Sequence, residues 1–598
     1  MDNEKDERKM TNGELVKKLF NYFNPYMLFF TIALVLVAIV VGLELLGPML
    51  TGMITTKLNE DVVIFKDLLW LSLGYFGIIL SLNVIQFIEA MILQNTGQKI
   101  IYNVREEIFN HIEHLSISQI NQTPVGKLTT RITNNTNELN ELFTNVLINL
   151  IRSIMTLVGV IVYMIIKDAK LSLYMLIIMP VVLIATLIFD LYARKAHRKV
   201  RTKATILNAY LSENISGMAT TQIFNAEEKV IQGFKDRNDD LQKANIRQIF
   251  LYAVYRPTIY VCYIITLIVL FYFGGKQAIN AAVNNDLTGV SSLIVFYLLV
   301  DRFLGPLQEL AEQLNTIQSA FSSCEKIFTV LDMKSEIVDT IDPIELQDVK
   351  GEIEFKHVWF QYEEDNWILK DVSFHIHPRE VVAFVGATGS GKTTILQLIV
   401  RNYDIQKGEI LIDGIDIKKI SLESLRSKFG QMLQDVFLFS GTITDNITMH
   451  EDDISLDDVK KACAYVGADT FIEKLENNYA EEVRERGNNF SSGQRQLLSF
   501  ARTIVHNPSI IILDEATANI DTETEVLIQN SLEKMMTIGT TLMVAHRLST
   551  IQHANKIIVL SKGVIIEEGT HQELLKNKGH YHKLYTLQYE KKIPSAIN

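Results

Sequence analysis

The stretch that decides the fold reads GATGSGKTT, from Gly386 to Thr394. It fits the pattern G-x-x-x-x-G-K-[ST], in which glycines let backbone N–H groups turn inward around phosphate oxygens. An apolar run before it, residues 381–385, predicts a buried strand. Residues 394–399 predict a helix, whose N-terminus adds partial positive charge. The sequence therefore predicts a phosphate-binding loop that comprises Gly386, Ala387, Thr388, Gly389, Ser390, Gly391, Lys392, Thr393 and Thr394.

Two side chains of this loop have specific predicted roles. We expect Lys392 to reach the β- and γ-phosphates of a nucleotide and the Thr393 hydroxyl to hold Mg²⁺. A Gly- and Ser-rich turn could match the pattern by chance. The flanking strand and helix, together with the further motifs described below, argue against a chance match. The predicted cofactors are therefore ATP and Mg²⁺.

Length and composition narrow the class of protein. The 598 residues are too many for one core, and 48% are apolar and unevenly spread between the two halves. A net charge of −12 argues against a general nucleic-acid binder. The cysteines, Cys262, Cys324 and Cys463, lack C-x-x-C spacing, which favours small buried apolar side chains over a disulfide or zinc site. The charged N-terminus does not resemble a secretory signal.

The first half contains six apolar runs long enough to cross a membrane, which takes about 20 residues as a helix. A segment before the first run, residues 14–20, has apolar residues at helical spacing with lysines on the other face, and predicts an interfacial helix along the membrane. The six predicted spans cover residues 27–53, 68–92, 146–166, 171–189, 258–273 and 290–304.

The connections between the spans are asymmetric. Spans two and three, and spans four and five, are joined by polar stretches of roughly 50 residues, each long enough for two helices projecting about 35 Å at 1.5 Å rise per residue. The stretch after span four opens with RKAHRKVRTK, residues 194–203, which has six Lys or Arg and no acid. This excess of basic residues places the long stretches on the cytoplasmic side.

Several ionisable residues lie within the spans: Glu44, Glu89, Arg152 and the pair Asp301-Arg302. Such groups usually face a bundle interior or a water-filled cavity. Glu44 could line a path for a cationic substrate, pair with another polar side chain, or lie near an interface. Arg256-Pro257 predicts a kink or a helix boundary at the start of span five.

The second half carries further motifs of an ATPase. Tyr362 stands ahead of the loop, where an aromatic ring could stack on adenine or simply pack. The apolar strand pattern of residues 509–513 ends in Asp514 and Glu515. The first of these acids can help hold Mg²⁺ and the second can polarise an attacking water. Gln434 could reach both the metal and that water, and His546 could contact the γ-phosphate.

A second candidate anion site precedes Asp514. Ser491, Ser492, Gly493 and Gln494 open a helical run, residues 497–504. Small residues with free N–H groups at the start of a helix suit a phosphate.

In these motifs, and over nearly its full length, the chain resembles a half-size ABC exporter. The resemblance implies an α-helical membrane domain, with six transmembrane helices and long cytoplasmic extensions, followed by an α/β P-loop ATPase domain. It further implies a transmembrane domain over residues 1–330, a linker over 331–350 and a nucleotide-binding domain over 351–598.

Family roles follow from the resemblance. Residues 386–394 resemble Walker A, 510–514 Walker B, Glu515 the catalytic glutamate, Gln434 the Q-loop glutamine, His546 the switch histidine and Tyr362 the adenine-stacking aromatic. The resemblance also identifies a D-loop at 518–521 that ends in Asp521, a segment at 482–487 that contacts coupling helices, a first coupling helix at 115–126 and a second at 211–217 with 222–228. It places the 491–494 motif against a nucleotide held by another subunit, which implies a dimer.

Two departures from the family pattern concern the dimer. The signature reads FSSGQ instead of LSGGQ, so Ser492 stands where a glycine belongs, and a side chain there would restrict φ and crowd the phosphate. The D-loop reads ANID instead of SALD. With Glu515 retained, the chain resembles the glutamate-bearing subunit of a heterodimeric bacterial exporter, whose partner would carry LSGGQ and lack that glutamate. The alternative is a homodimer that tolerates Ser492.

The predicted function is ATP-driven export of a hydrophobic or amphipathic substrate, drug-like or lipid-like, across the cytoplasmic membrane. The alternative is a lipid flippase or peptide exporter that works as a homodimer. The predicted partners are a second half-transporter subunit and membrane lipids, without nucleic acid. The six spans argue against a soluble ATPase of this family, and the fusion of both domains argues for export over import.

Overall fold

The structure is a computed structural model that describes residues 10–58, 64–177, 179–283, 288–432, 435–514, 522–544 and 551–589. These residues fall into two compact units. The first lies within Met1–Glu113 and Pro124–Met333, and the second within His114–Thr123 and Lys334–Asn598.

The first unit is helical and contains the predicted membrane spans. Among the described residues, six helical segments are long and apolar enough to cross a membrane, and each contains one predicted span, which confirms the expectation of six. The segments are Gly13–Leu58, Phe65–Glu113, Val125–Lys167, Ala169–Ser216, Glu227–Ala281 and Gly289–Leu307.

The α-helices of the first unit are Asn12–Phe23, Met27–Leu58, Phe65–Glu113, Val125–Thr130, Thr136–Glu141, Leu147–Lys167, Ala169–Leu176, Met179–Ser216, Met218–Ile223, Glu227–Val269, Gly275–Val283 and Thr288–Leu331. Wider π-helical turns, Arg131–Asn135, Leu142–Val146 and Leu270–Gly274, join some of them without a break.

The long polar stretches are continuations of the membrane helices. Phe65–Glu113 has 49 residues, so it is about 73 Å long, whereas a bilayer core is about 30 Å thick. The helices Met179–Ser216 and Glu227–Val269 extend a second pair of spans in the same way. Between them lies the short helix Met218–Ile223, which starts after the predicted range 211–217 and overlaps the predicted range 222–228 only at its end.

Pro257 lies inside the continuous helix Glu227–Val269, so the predicted helix boundary at Arg256-Pro257 is wrong. A proline removes one backbone donor, but long membrane helices tolerate it because neighbouring groups satisfy the freed carbonyl. The stretch between spans five and six contains the short helix Gly275–Val283.

The N-terminal helix Asn12–Phe23 begins with a capping box, in which Thr11 and Glu14 satisfy each other's backbone N–H. Its apolar side chains divide into two groups. Leu15 and Leu19 are buried in a core with residues of the Phe65–Glu113 helix, whereas Val16 and Phe20 are about half exposed. The predicted interfacial helix is therefore a helix packed on the protein along one edge.

The second unit is built on β-strands, which we number in chain order. They are β1 Ile353–Gln361, β2 Trp367–Ile376, β3 Val381–Val385, β4 Lys407–Ile412, β5 Ile415–Asp416, β6 Phe429–Met432, β7 Gly441–Thr442, β8 Glu482–Val483, β9 Ile510–Asp514, β10 Thr540–Val544, β11 Lys556–Ser561 and β12 Val564–Gly569.

Its α-helices are Ile117–Gln122, Lys392–Ile399, Leu422–Arg426, Ile443–Thr448, Leu456–Tyr465, Asp469–Ile472, Ser492–Val505, Thr522–Met535, His571–Lys576 and His580–Tyr589. The first of these lies in the stretch predicted to contain the first coupling helix.

A six-stranded sheet in the order β12-β11-β3-β10-β9-β6 forms the centre of this unit, and all neighbouring strands except β12 and β11 run parallel. Successive side chains of a strand point to opposite faces. In β3, accordingly, Val381, Ala383 and Val385 pack into one hydrophobic core, and Val382 and Phe384 pack into the other. The sheet is therefore buried on both faces, which explains the uninterrupted apolar run before the phosphate loop.

The polar segment predicted as a linker is hydrogen-bonded to this second unit. The Ile344 N–H donates to the Lys419 carbonyl, and the Leu346 N–H donates to Ser424 Oγ at 2.7 Å. The buried Arg401 guanidinium, just beyond the Lys392–Ile399 helix, donates to the Val338 carbonyl at 3.2 Å. These bonds attach residues 338–346 to the nucleotide-binding unit.

Candidate functional site

Four parallel strands of the central sheet end at the same edge. Val544 at the end of β10 is in register with Phe384 of β3 and with Asp514 of β9, and Met432 at the end of β6 is in register with Leu513. The phosphate loop follows β3 at this edge. In open parallel sheets, nucleotides bind beyond the carboxyl ends of the strands. The predicted site residues Gln434, Glu515, Asp521 and His546 lie outside the described residues; all but Asp521 come within two positions of one of these strand ends in the sequence.

The phosphate loop depends on glycine at its junction with the helix. Gly391 caps the Lys392–Ile399 helix in the left-handed region, with φ +103°. A Cβ at this position would lie 2.6 Å from Leu369 Cδ2. At the start of the loop, a Cβ on Gly386 would clash with the Leu560 carbonyl oxygen. Backbone conformation and close packing therefore both require the glycines of the motif.

Replacing Gly391 with alanine should destabilise the nucleotide-binding unit. The left-handed φ alone should cost about 1–3 kcal/mol, which thermal unfolding of the purified chain can detect. Gly275→Ala is the matched control, because Gly275 has a helical φ of −63° and open space around its Cβ position. Equal melting temperatures for the two variants would contradict this account.

Polar groups inside the loop suit a bound phosphate. Lys392 is buried, and its Nζ donates to the carbonyls of Gly386 at 2.8 Å and Ala387 at 3.1 Å. Burial lowers the pKa of Lys392, and the nearby Asp514 carboxylate opposes that shift. The Ser390 hydroxyl oxygen is buried without a hydrogen-bond partner among the described residues. A phosphate oxygen would give the Ser390 hydroxyl an acceptor and would offer the Lys392 ammonium a charged acceptor in place of the two carbonyls.

Two oxygen-bearing side chains fit a divalent cation beside this loop. The Thr393 side chain is exposed at the second position of the Lys392–Ile399 helix. Asp514 ends β9 close enough for its charge to act on Lys392. Carboxylate and hydroxyl oxygens are the hard ligands that Mg²⁺ prefers.

Tyr362, directly after β1, is fixed to the start of the loop helix. Its hydroxyl donates to Thr394 Oγ1 at 3.2 Å. Its ring meets the rings of Phe360 and Tyr403 edge-on, with centroids 4.8 and 5.0 Å away. Partial burial raises the pKa of this tyrosine, yet 47% of the residue remains exposed. The ring is therefore both held in place and accessible.

Tyr403 is a residue that the sequence reasoning missed. Besides its ring contact with Tyr362, its hydroxyl accepts a hydrogen bond from Asn121 Nδ2 at 3.4 Å. Asn121 belongs to the short helix Ile117–Gln122, which also reaches the Lys334 carbonyl through Gln119. No local pattern could have brought positions 121 and 403 together, because only the folded unit does so.

The signature segment forms the start of the 14-residue helix Ser492–Val505. Ser491 caps it: its Oγ accepts from the Gln494 N–H, and Gln494 Oε1 accepts from the Ser491 N–H at 2.9 Å. Ser492 is the first helical residue and does not have a positive φ. The expectation that serine restricts φ here is therefore wrong, because this position does not need glycine's conformational freedom. What serine adds is a side chain at the helix N-terminus.

The ionisable residues of the spans form pairs in the first unit. Arg152 bonds to the buried Glu89 at 2.5 Å, which links spans two and three. Arg302 lies 3.8 Å from Glu44, which links spans six and one. Pairing reduces the cost of a charge at membrane depth. Of the alternatives for Glu44, the structure favours the partner of another polar side chain.

Comparisons with known proteins agree with this architecture. The family described as ABC transporter transmembrane region matches residues 30–301, and the family described as ABC transporter matches residues 369–518. The two matches correspond to the two predicted halves.

Relatives resemble the chain over most of its length. A probable multidrug resistance ABC transporter ATP-binding/permease protein, YheH of Bacillus subtilis, is 36% identical over 88% of this chain and 77% of its own. An ATP-dependent lipid A-core flippase of Syntrophus aciditrophicus is 32% identical over 96% and 95%. A solved bacterial Atm1-family ABC exporter with ATP bound has the same fold, with a TM-score of 0.75, 24% identity and coverage of 95% and 99%.

Proposed function

Since this chain belongs to the ABC transporters, we propose that it is one half of a dimeric exporter that moves a hydrophobic or amphipathic substrate across the cytoplasmic membrane. Family membership makes it an ATPase coupled to transport, and a multi-pass membrane protein with a cytoplasmic nucleotide-binding domain. One observation carries the proposal. A phosphate loop opens at the sheet edge where β6, β9 and β10 also end, in a chain that also has six membrane-spanning helices.

The loop binds the nucleotide in this proposal. Tyr362 stacks on adenine, backbone N–H groups of residues 386–394 surround the phosphates, and Lys392 turns its ammonium from the loop carbonyls to the β- and γ-phosphates. Thr393, Asp514 and Gln434 would hold Mg²⁺. That ion, when bound, neutralises charge that develops on the phosphates.

Hydrolysis requires a base and a γ-phosphate contact, which the proposal assigns to residues after the strand ends. Glu515 accepts a proton from the attacking water, Gln434 orients that water, and His546 donates to the γ-phosphate. All three follow apolar strands whose described ends lie at one edge.

The signature helix acts on a nucleotide of the other subunit. Ser491, Ser492, Gly493 and Gln494 would present N–H groups and the partial positive charge of a 14-residue helix to its phosphates. Asp521 would lie at the dimer contact. Two nucleotides then hold two nucleotide-binding domains together, and hydrolysis releases them.

We further propose that the partner is a different chain. Each of the two ATP sites combines the Walker motifs of one subunit with the signature of the other. Because Glu515 is retained, this chain supplies the Walker motifs of the active site. Because its signature contains Ser492, it supplies an altered signature to the second ATP site. The chain purified alone should hydrolyse ATP on the order of 100-fold to 1,000-fold more slowly than when co-purified with a half-transporter that carries LSGGQ, because preorganised groups that stabilise transition-state charge contribute effects of that size. Steady-state ATPase rates in lipid nanodiscs measure this. Full transport activity of the chain alone would establish the homodimer.

Ser492→Gly separates the signature from other causes of low activity. If the added side chain is what slows the isolated chain, the variant alone should recover a large part of the lost rate. Its folding should not change, because Ser492 already has an ordinary helical φ. Ser427→Gly is the control and should leave the ATPase rate of the isolated chain unchanged. Ser427 lies at the end of the helix Leu422–Arg426, which is remote from the signature in sequence. An unchanged rate for Ser492→Gly would count against an inhibitory role of this serine.

The substrate class rests on the relatives, one of which bears a multidrug resistance name and one a lipid A-core flippase name. Drug-like and lipid-like cargo share an apolar body, which suits entry from the bilayer. The flippase relative supports the alternative of a lipid flippase acting as a homodimer, and a peptide exporter is the other homodimer alternative. Reconstituted vesicles supplied with a fluorescent lipid, an apolar cationic dye or a labelled peptide distinguish these classes by which probe crosses on ATP addition.

A further inference from the structure

Two strands of the second unit bring two histidines and an acid together, away from the nucleotide site. His375 lies in β2, His377 follows its end, and Glu352 immediately precedes β1. Ligand atoms of these three residues all lie within 4.8 Å of one another, and they form the one such group found among the described residues.

The strand register explains this grouping. β1 and β2 are antiparallel, with Ile353 opposite Ile376 and Glu354 opposite His375. Extending the register by one step places Glu352 opposite His377. Ile353 and Ile376 are fully buried, so the alternating neighbours Glu352, His375 and His377 share the solvent side.

The three side chains are already oriented toward one another. His375 Nε2 and Glu352 Oε1 are 2.7 Å apart, and the two imidazole rings have centroids 4.4 Å apart. Glu352 and His375 are each about two-fifths exposed at the side chain, so an ion can reach them. The nearby Lys556 is paired with Glu568 at 2.6 Å, which offsets its charge.

We propose that Glu352, His375 and His377 form a Zn²⁺ site. Two imidazoles and one carboxylate are a ligand set that zinc accepts, with water in the fourth position. Mg²⁺ prefers oxygen ligands and does not compete for such a set. Tetrahedral zinc with ligands near 2 Å requires ligand atoms about 3.3 Å apart. The ligand atoms of the three residues already lie within 4.8 Å of one another, so rotations of the side chains can bring them to that spacing.

This site is distinct from the nucleotide site. His377 comes before the amino end of β3, and the phosphate loop comes after its carboxyl end, five residues or about 17 Å of strand away. Bound zinc would cross-link the start of β1 to the end of β2 and stabilise this edge of the second unit.

Isothermal titration with ZnCl₂ tests the proposal on the full chain, purified in detergent with a tag that contains no histidine and with Mg²⁺ present. We expect one Zn²⁺ per chain and a higher melting temperature with zinc, because the ion binds the folded state. His375→Ala and His377→Ala should each abolish both effects, and Glu352→Gln should weaken them. The visible absorption of bound Co²⁺ should appear in the wild type and be absent from both histidine variants.

His357→Ala is the matched control. His357 pairs with Asp371 at 2.7 Å on the same two strands but belongs to no such three-residue group among the described residues, so its loss should leave zinc binding intact. ATP binding by each variant verifies that it is folded. A wild-type chain that binds no zinc, or histidine variants that bind it as the wild type does, would overturn the proposal.

Discussion

Glu515→Gln should abolish steady-state ATP hydrolysis by the assembled transporter while leaving ATP binding intact. The substitution keeps the shape of the side chain and removes the carboxylate that, in the proposed mechanism, accepts the proton of the attacking water. General bases contribute about 100-fold to 10,000-fold to a rate, so turnover should fall at least about 100-fold. Trapped nucleotide should accumulate, because the two domains close on ATP and do not reopen.

The measurement pairs an ATPase assay with ATP retention on the same sample. Glu533→Gln is the matched control. It makes the same chemical change at an exposed position of the Thr522–Met535 helix, away from the sheet edge. It should hydrolyse ATP at the wild-type rate. Turnover by Glu515→Gln close to that of the wild type would show that another group activates the water.

Lys392→Ala should instead weaken nucleotide binding. Lys392 is buried in the loop, where its Nζ donates to two backbone carbonyls among the described residues, and a phosphate would replace them with charged oxygens. Hydrogen bonds between charged groups contribute about 1.5–3 kcal/mol, so the affinity for ATP should fall about tenfold to 100-fold. Titration of a fluorescent ATP analogue measures the dissociation constant directly.

Lys370→Ala controls for the loss of one positive charge, because Lys370 is an exposed residue of β2. Its affinity for the analogue should match that of the wild type. Lys392→Ala and Glu515→Gln therefore separate binding from chemistry: one loses affinity and the other loses rate. If Lys392→Ala bound the ATP analogue with wild-type affinity, the Lys392 ammonium would not contribute to nucleotide binding.

Periodicity and motif spacing predicted the membrane spans and the phosphate loop because these depend on local physics. An apolar run as long as a bilayer is thick is visible in any sequence, and Gly391 and Lys392 are recognisable from their neighbours alone. The same local pattern predicted the strand at 381–385, which is confirmed, and a helix over 394–399, which the structure begins two residues earlier, at Lys392.

The remaining features depend on contacts between distant residues. Glu44 and Arg302 were each visible as charges in apolar runs, but their pairing follows only from the packing of the first and last spans. The boundary predicted at Pro257 was wrong because a local rule about proline was overridden by the continuous helix around it. The polar segment at 338–346 has the composition of a linker, yet its backbone groups bond to the second unit.

Ser492 begins its helix with an ordinary backbone conformation, so exchange of serine and glycine there leaves the chain path unaltered. FSSGQ and LSGGQ differ at Phe490 and at Ser492, and the exchange at Ser492 requires no compensating change of the backbone elsewhere. Paired transporters of unequal subunits can arise from equal ones by such a step after gene duplication, and the step is as easily reversed.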